Sequence, residues 1–236
     1  MYYGGYGYYY YDPTYILVIA CLIISLIASA RVNSVFNRFS RIAATSGLTG
    51  AEAAERILHA AGIYDVTVEH IRGNLSDHYD PSNKVLRLSD STYASRSVAA
   101  IGVAAHECGH AVQHSEEYTP LSIRSALVPV TNVASKAAVP IIILGCILSY
   151  NQTLIQIGII AFSFAVIFQL VTLPVEFNAS SRALAMLKKQ GILDAQEVPM
   201  ARKVLSAAAM TYVAAAATSI VQLLRLILLF GGRNRD

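Results

Sequence analysis

Residues 104–114 read Ala104-Ala105-His106-Glu107-Cys108-Gly109-His110-Ala111-Val112-Gln113-His114. On a helix, the two histidines of this His-Glu-x-x-His run stand four positions apart on one face, about 6 Å along the axis at ~1.5 Å per residue. That spacing lets both imidazoles reach one zinc ion. Glu107, one position along from His106, can face the open side of the metal and accept a proton from a water held there. The stretch predicts a zinc hydrolase site on a helix, and it leaves a third ligand, a substrate groove and a location to be found elsewhere in the chain.

Composition supplies the location. The 236 residues are 55% hydrophobic and 14% charged, with a mean hydropathy of +0.48. Such a chain is too apolar for an ordinary soluble domain of this length and predicts membrane segments beside one modest polar domain. The formal net charge of +3 is small and Lys and Arg are spread along the chain, which argues against a nucleic-acid partner. Cys21, Cys108 and Cys146 fall in or beside apolar helices without zinc-finger spacing, so they read as reduced, buried residues.

Outward from the motif, the segments divide as follows. Residues 1–14 form a Tyr/Gly-rich tail suited to a membrane surface. Residues 15–30 are apolar and uncharged, closed by Arg31; with no basic run before them they predict a permanent first transmembrane helix and not a cleaved signal. Residues 31–125 are the longest polar segment. In it, Thr49-Gly50-Ala51-Glu52 is a capping box opening a helix that stops at Gly62. Val66 to Ile71 alternates as a strand, Asp80-Pro81-Ser82-Asn83 is a turn, and Lys84 to Leu88 reads as a second strand. The latter is a candidate edge for an extended substrate. A small-residue helix from about Ser95 then carries the motif to His114.

Residues 126–175 predict a transmembrane hairpin around a polar turn at Ser149 to Gln152. Pro129, Lys136 and Pro140 weaken its first half, which is either kinked or lines the active-site cavity. Residues 176–206 are polar and mostly helical, 207–230 can span or re-enter the membrane, and 231–236 are a tail. Arg225 within the last apolar run must snorkel or find a partner. The fold class expected is a mostly α integral membrane protein, with about four transmembrane helices and a small α+β zincin-like (gluzincin) cytoplasmic domain. The cytoplasmic placement follows from the positive-inside rule, because the two loops on one side of the four spans carry Lys and Arg while the N-terminal tail and the hairpin turn have none; Arg233 and Arg235 disagree unless the last stretch re-enters.

Two histidines leave the site one protein ligand short. His114 lies eight residues from His106, about 12 Å along the axis, too far for all three histidines to share an ion, so a supporting role is expected of it. Glu176, in Leu173-Pro174-Val175-Glu176-Phe177-Asn178-Ala179-Ser180, is a carboxylate at the end of an apolar stretch, where an unpaired charge is costly. It follows an even number of crossings from His110 and therefore shares its side of the membrane. Glu116 and Glu117 are weaker candidates.

Five motifs in order carry a family resemblance: Ser46-Gly47-Leu48-Thr49-Gly50, Asp77-His78-Tyr79-Asp80-Pro81, Leu86-Arg87-Leu88-Ser89, Val103 to His114, and Pro174 to Leu184. Together they resemble the neutral zinc metallopeptidases of bacterial membranes, often called YugP-like, which are distantly similar to HtpX-like and CAAX prenyl proteases. The resemblance implies Glu176 as third ligand, with one zinc held by His106, His110 and Glu176 and with Glu107 as general base. It departs at Asn178 and Ser180, where relatives are expected to carry Asp, so carboxylate support of the ligands is in question. An oxyanion donor is also needed, and Arg182, His78 and Tyr79 are candidates from the sequence. His114, Asn178, Ser180, Arg182 and His78 are thus the expected supporting residues. The implied partners are a polypeptide substrate, a membrane protein in particular, and the lipid bilayer of the bacterial cell membrane. The competing reading is an inactive zinc-binding scaffold or chaperone of the same fold.

Overall fold

In chain order the elements are α1 (Tyr15–Phe39), α2 (Gly50–Ala60), β1 (Thr67–Ile71), β2 (His78–Asp80), β3 (Val85–Ser89), α3 (Val98–Ser115), α4 (Thr119–Ile147), α5 (Gln152–Lys189) and α6 (Val198–Phe230). The computed structural model describes residues 14–230; residues 1–13 of the Tyr/Gly-rich tail and residues 231–236, with Arg233 and Arg235, lie outside the described residues.

Four of these helices, α1, α4, α5 and α6, are long and apolar enough to cross a membrane. Their outer faces leave Ile16, Leu22, Leu26, Val133, Ile143, Ile160 and Leu228 exposed. An apolar surface of that extent is what a bilayer covers and water does not. The helices also outrun the apolar runs that seed them. At ~1.5 Å per residue, the 38 residues of α5 and 33 of α6 extend about 57 and 50 Å, against about 30 Å of hydrocarbon. Glu176 therefore lies within α5 and not at its end, and Pro174 is accommodated inside the helix. Likewise α1 continues past Arg31 until Phe36 and Phe39 bury against Ala99 and Val204.

α4 and α5 form a hairpin whose turn is made by Ser149 and Tyr150, both in left-handed backbone (φ 57°). Asn151 caps α5 by accepting the Leu154 amide at 3.1 Å. The two helices touch closely at Gly158, where a Cβ would sit 2.4 Å from Ile142 Cγ1 and 2.9 Å from the Ala138 carbonyl. α4 runs unbroken through Pro129 and Pro140. Arg225 of α6 finds its partners on α1: its Nε donates to Thr14 Oγ1 at 3.0 Å, and the guanidinium lies 4.3 Å from the Tyr15 ring centroid.

The polar segment folds around α3. The capping box of α2 is present, with Thr49 Oγ1 accepting the Glu52 amide and Glu52 Oε2 accepting the Thr49 amide at 2.8 Å. The sheet has the order β1-β3-β2, with β1 parallel and β2 antiparallel to β3. This corrects the substrate edge expected at Lys84 to Leu88: β3 is the central strand, its hydrogen bonds used on both sides, and the free edges belong to β1 and β2. β2 is too short to show alternation, and Asp80 ends it by accepting the Ser82 and Asn83 amides and the Arg87 guanidinium. Ile57 and Leu58 of α2, Leu86 and Leu88 of β3, and Ala183 and Leu187 of α5 pack with Ile101, Ala104, Ala105 and Cys108 of α3 in one core. The small residues of α3 permit approach from every side, which makes it a helix buried nearly all round. The three cysteines are free, and the Cys108 thiol is buried against the Ala54 carbonyl.

Candidate metal centre

His106 and His110 project from one face of α3 toward α5, as their four-residue spacing requires. Their Nε2 atoms lie 3.2 and 3.6 Å from Glu176 Oε2, and one ligand atom from each of the three residues falls within 4.8 Å of the others. Tetrahedral ligands at zinc distances of about 2.0–2.1 Å stand roughly 3.3–3.4 Å apart. The spacings to Glu176 are thus those of tetrahedron edges, and two imidazoles with one carboxylate are a donor set that fits zinc.

The outward ring nitrogens are held as metal-binding histidines require. Ser180 Oγ lies 3.1 Å from His106 Nδ1, and Gln113 Oε1 lies 3.0 Å from His110 Nδ1. With protons on Nδ1, both rings donate outward and present bare Nε2 atoms to Glu176. Gln113, one turn beyond His110, is fully buried and donates its amide to the Val175 carbonyl and to Asn178 Oδ1, each at 2.9 Å. Arg182 Nε donates to the same Asn178 oxygen at 2.7 Å. Hydroxyl and amide groups supply the support that the absent aspartates put in question.

Glu176 is 2% exposed. Its second oxygen, Oε1, faces Arg124 Nη1 of α4 at 3.4 Å, so the buried carboxylate has a cation on one side and the histidines on the other. Glu107 is buried beside them, its Oε2 accepting the Tyr79 amide of β2 at 3.0 Å. Burial pushes the Glu107 carboxyl above its ordinary range, against the pull of His106 and His110; a cation at the site would add to that pull.

Two cavities meet at this cluster. One, about 170 Å³, runs toward α1 and α6 past Val32, Phe36, Val103, Leu205 and Ala208. The other, about 290 Å³, opens between β2 and the start of α4, past His78, Tyr79, Leu121, Arg124 and Val128. The start of α4, through Leu121, Arg124, Ser125 and Val128, lines this second cavity.

Over residues 14–231 the chain matches the family described as "putative neutral zinc metallopeptidase". It belongs to that family. It is also 51% identical over 221 residues, 93% of this chain and 98% of the relative, to a protein of Bacillus subtilis (strain 168) named "Putative membrane protease YugP". No solved structure matches the chain. The family's name thus agrees with the resemblance carried by the motifs, and it implies the zinc for which the His-His-Glu cluster offers a place.

Within this metallopeptidase framework the expected residues fall into two groups. His106, His110, Glu107, Glu176, Ser180 and Asn178 come together. Arg182 is drawn off to Asn178 and to Glu116 Oε2 at 2.7 Å, which also occupies Glu116 away from the histidines. His114 is outside the cluster and bonds the Tyr79 hydroxyl through Nδ1 at 2.8 Å. His78 lines the second cavity with its Nδ1 against the Ser76 carbonyl at 2.9 Å. Gln113, Arg124 and Tyr212 were not singled out as site residues. The spacing of Gln113 three residues after His110 was a usable signal; Tyr212, in an alanine-rich apolar run, offered none.

Proposed function

We propose that the protein is a zinc-dependent endopeptidase of the gluzincin type acting on polypeptides at the membrane surface. The observation that carries this is the convergence of His106, His110 and Glu176 with the Glu107 carboxylate where two cavities join. His106, His110 and Glu176 would hold the ion. The chemistry such an ion would supply is a lowered pKa for a water molecule and polarisation of the scissile carbonyl. Glu107 takes the proton from the attacking water and delivers it to the leaving amine. Ser180 and Gln113 fix the orientation of the two imidazoles, and Arg124 holds Glu176. β2 offers its free edge to an extended polypeptide, which would lie between it and Leu121, Ser125 and Val128 of α4. Purified protein should carry about one zinc per chain and hydrolyse fluorescently labelled casein or a co-purified membrane protein. Absence of stoichiometric zinc would sink this reading.

We further infer that the site faces the cytoplasm as a zincin-like domain built on four spans. Arg31, Arg38, Arg41, Arg56, Arg72, Lys84, Arg87, Arg96 and Arg124 precede the hairpin and Arg182, Lys188, Lys189, Arg202 and Lys203 follow it, whereas the hairpin turn has none. With the native cysteines replaced, Asn151→Cys should react with an impermeant thiol reagent added to intact cells and Asn83→Cys should not. The opposite labelling pattern would reverse the orientation.

A further inference from the structure

An extended substrate that crosses this site must place its scissile bond where the two cavities join, with the residues on either side in one cavity each. Five residues line both: Asp77, His106, Glu107, Glu176 and Tyr212. Two are the proposed ligands and one the proposed base. Asp77 is an acceptor already engaged, with its carboxylate oxygens on the Ser89 amide at 2.8 Å and hydroxyl at 2.9 Å. Tyr212 remains, and its phenol is the one donor of the five outside the proposed ligands.

Peptide hydrolysis through a tetrahedral intermediate develops negative charge on the former carbonyl oxygen, and a fixed donor aimed at that oxygen speeds the step. The three donors expected from the sequence are each committed or set aside. Arg182 lines neither cavity and is bound to Asn178 and Glu116. The Tyr79 hydroxyl is on His114, and His78 lines only the cavity on the β2 side. Arg124 lines that cavity alone and faces Glu176. The Tyr212 side chain, by contrast, comes from α6 and lines both cavities together with the Glu176 carboxylate.

Resting on the proposed peptidase reading, we propose that Tyr212 is a catalytic residue that donates its phenolic hydrogen bond to the oxyanion formed at the scissile carbonyl. No bond to Tyr212 forms or breaks: the proton stays on the phenol, and the hydrogen bond shortens as charge develops and is released when the carbonyl re-forms. The donor comes from a membrane helix, so assembly of the catalytic machinery requires α6 in place as well as α5.

Tyr212→Phe, which removes the hydroxyl and keeps the ring, tests this in the full chain in detergent or vesicles. Against labelled casein, kcat should fall about 10²–10³-fold, the loss seen when one oxyanion donor is removed, with KM within a few-fold of wild type. Zinc content and thermal midpoint should be unchanged. A phosphinic peptide, whose tetrahedral oxyanion mimics the intermediate, should lose affinity by a comparable factor. Wild-type turnover in Tyr212→Phe would overturn the proposal, and so would loss of zinc, which would make Tyr212 a positioning residue for Glu176. A wild type that cleaves no faster than Glu107→Gln would instead bring down the peptidase reading and this proposal with it.

Discussion

Glu107→Gln is expected to lower peptidase activity by about 10²–10⁴-fold, the range for removing a general base, while zinc content stays at the wild-type level. The carboxamide occupies the same volume in a buried position, and its carbonyl oxygen can still accept the Tyr79 amide that Glu107 now accepts at 3.0 Å. What it cannot do is take a proton from water. Glu107 contributes no atom to the cluster of His106, His110 and Glu176, so the affinity for metal should not follow the loss of rate. Turnover of labelled casein and metal analysis on the same preparation provide the check. A Glu107→Gln protein that cuts like wild type would remove Glu107 from the base role, and equal inactivity of both with zinc bound would favour the scaffold reading. The variant should also retain uncut polypeptides, which makes it the means of finding substrates.

The second large effect is loss of metal on Glu176→Ala. Removing an outer support of a ligand costs roughly 10–100-fold in affinity; removing a ligand should cost more, and here it also leaves Arg124 facing a cavity with no counter-charge. Gly109→Ala should weaken the same site without touching any ligand. A Cβ at Gly109 would lie 2.5 Å from the Ala179 carbonyl oxygen and 3.1 Å from Ala179 Cα, contacts with the backbone of α5 that no side-chain rotation relieves. α5 must move away from α3, taking Glu176 with it; overpacking of this kind typically costs about 1–3 kcal/mol. Competition against a chelator of known affinity would rank the three proteins, with wild type tightest, Gly109→Ala intermediate and Glu176→Ala weakest. Unchanged zinc binding in Glu176→Ala would exclude it as third ligand. Unchanged binding in Gly109→Ala would show that α5 can yield without moving the site.

The helix spacing of His106 and His110, the capping box at Thr49 and Glu52, the turn at Ser149 and Tyr150 and the apolar runs of four helices were legible in the chain because each is a pattern among neighbours. Side chains four residues apart share a helix face whatever surrounds them, and a run of about 20 apolar residues has few other stable homes than a bilayer. Glu176 was also within reach, since a carboxylate beside an apolar run is conspicuous.

Other features depended on packing between distant segments. β2 has three residues, too few for periodicity, and its pairing beside β3 is what makes β3 central and leaves the β2 edge facing Glu107. The support of His110 runs through Gln113 to Asn178, 65 residues away, a bond that exists because Gly109 lets α5 approach α3. Arg124 and Tyr212 arrive from two helices that read as membrane spans or their approaches, where nothing local marks a polar residue as belonging to a site. The chain by itself therefore determined the two histidines, the glutamate between them and the helices that could enter a membrane, all set by spacing and solubility over short distances. Only the tertiary structure decided that Gln113 and Asn178 support His110 and that Arg124 and Tyr212 line one cavity with the histidines, because that depends on how closely α3, α4, α5 and α6 can pack.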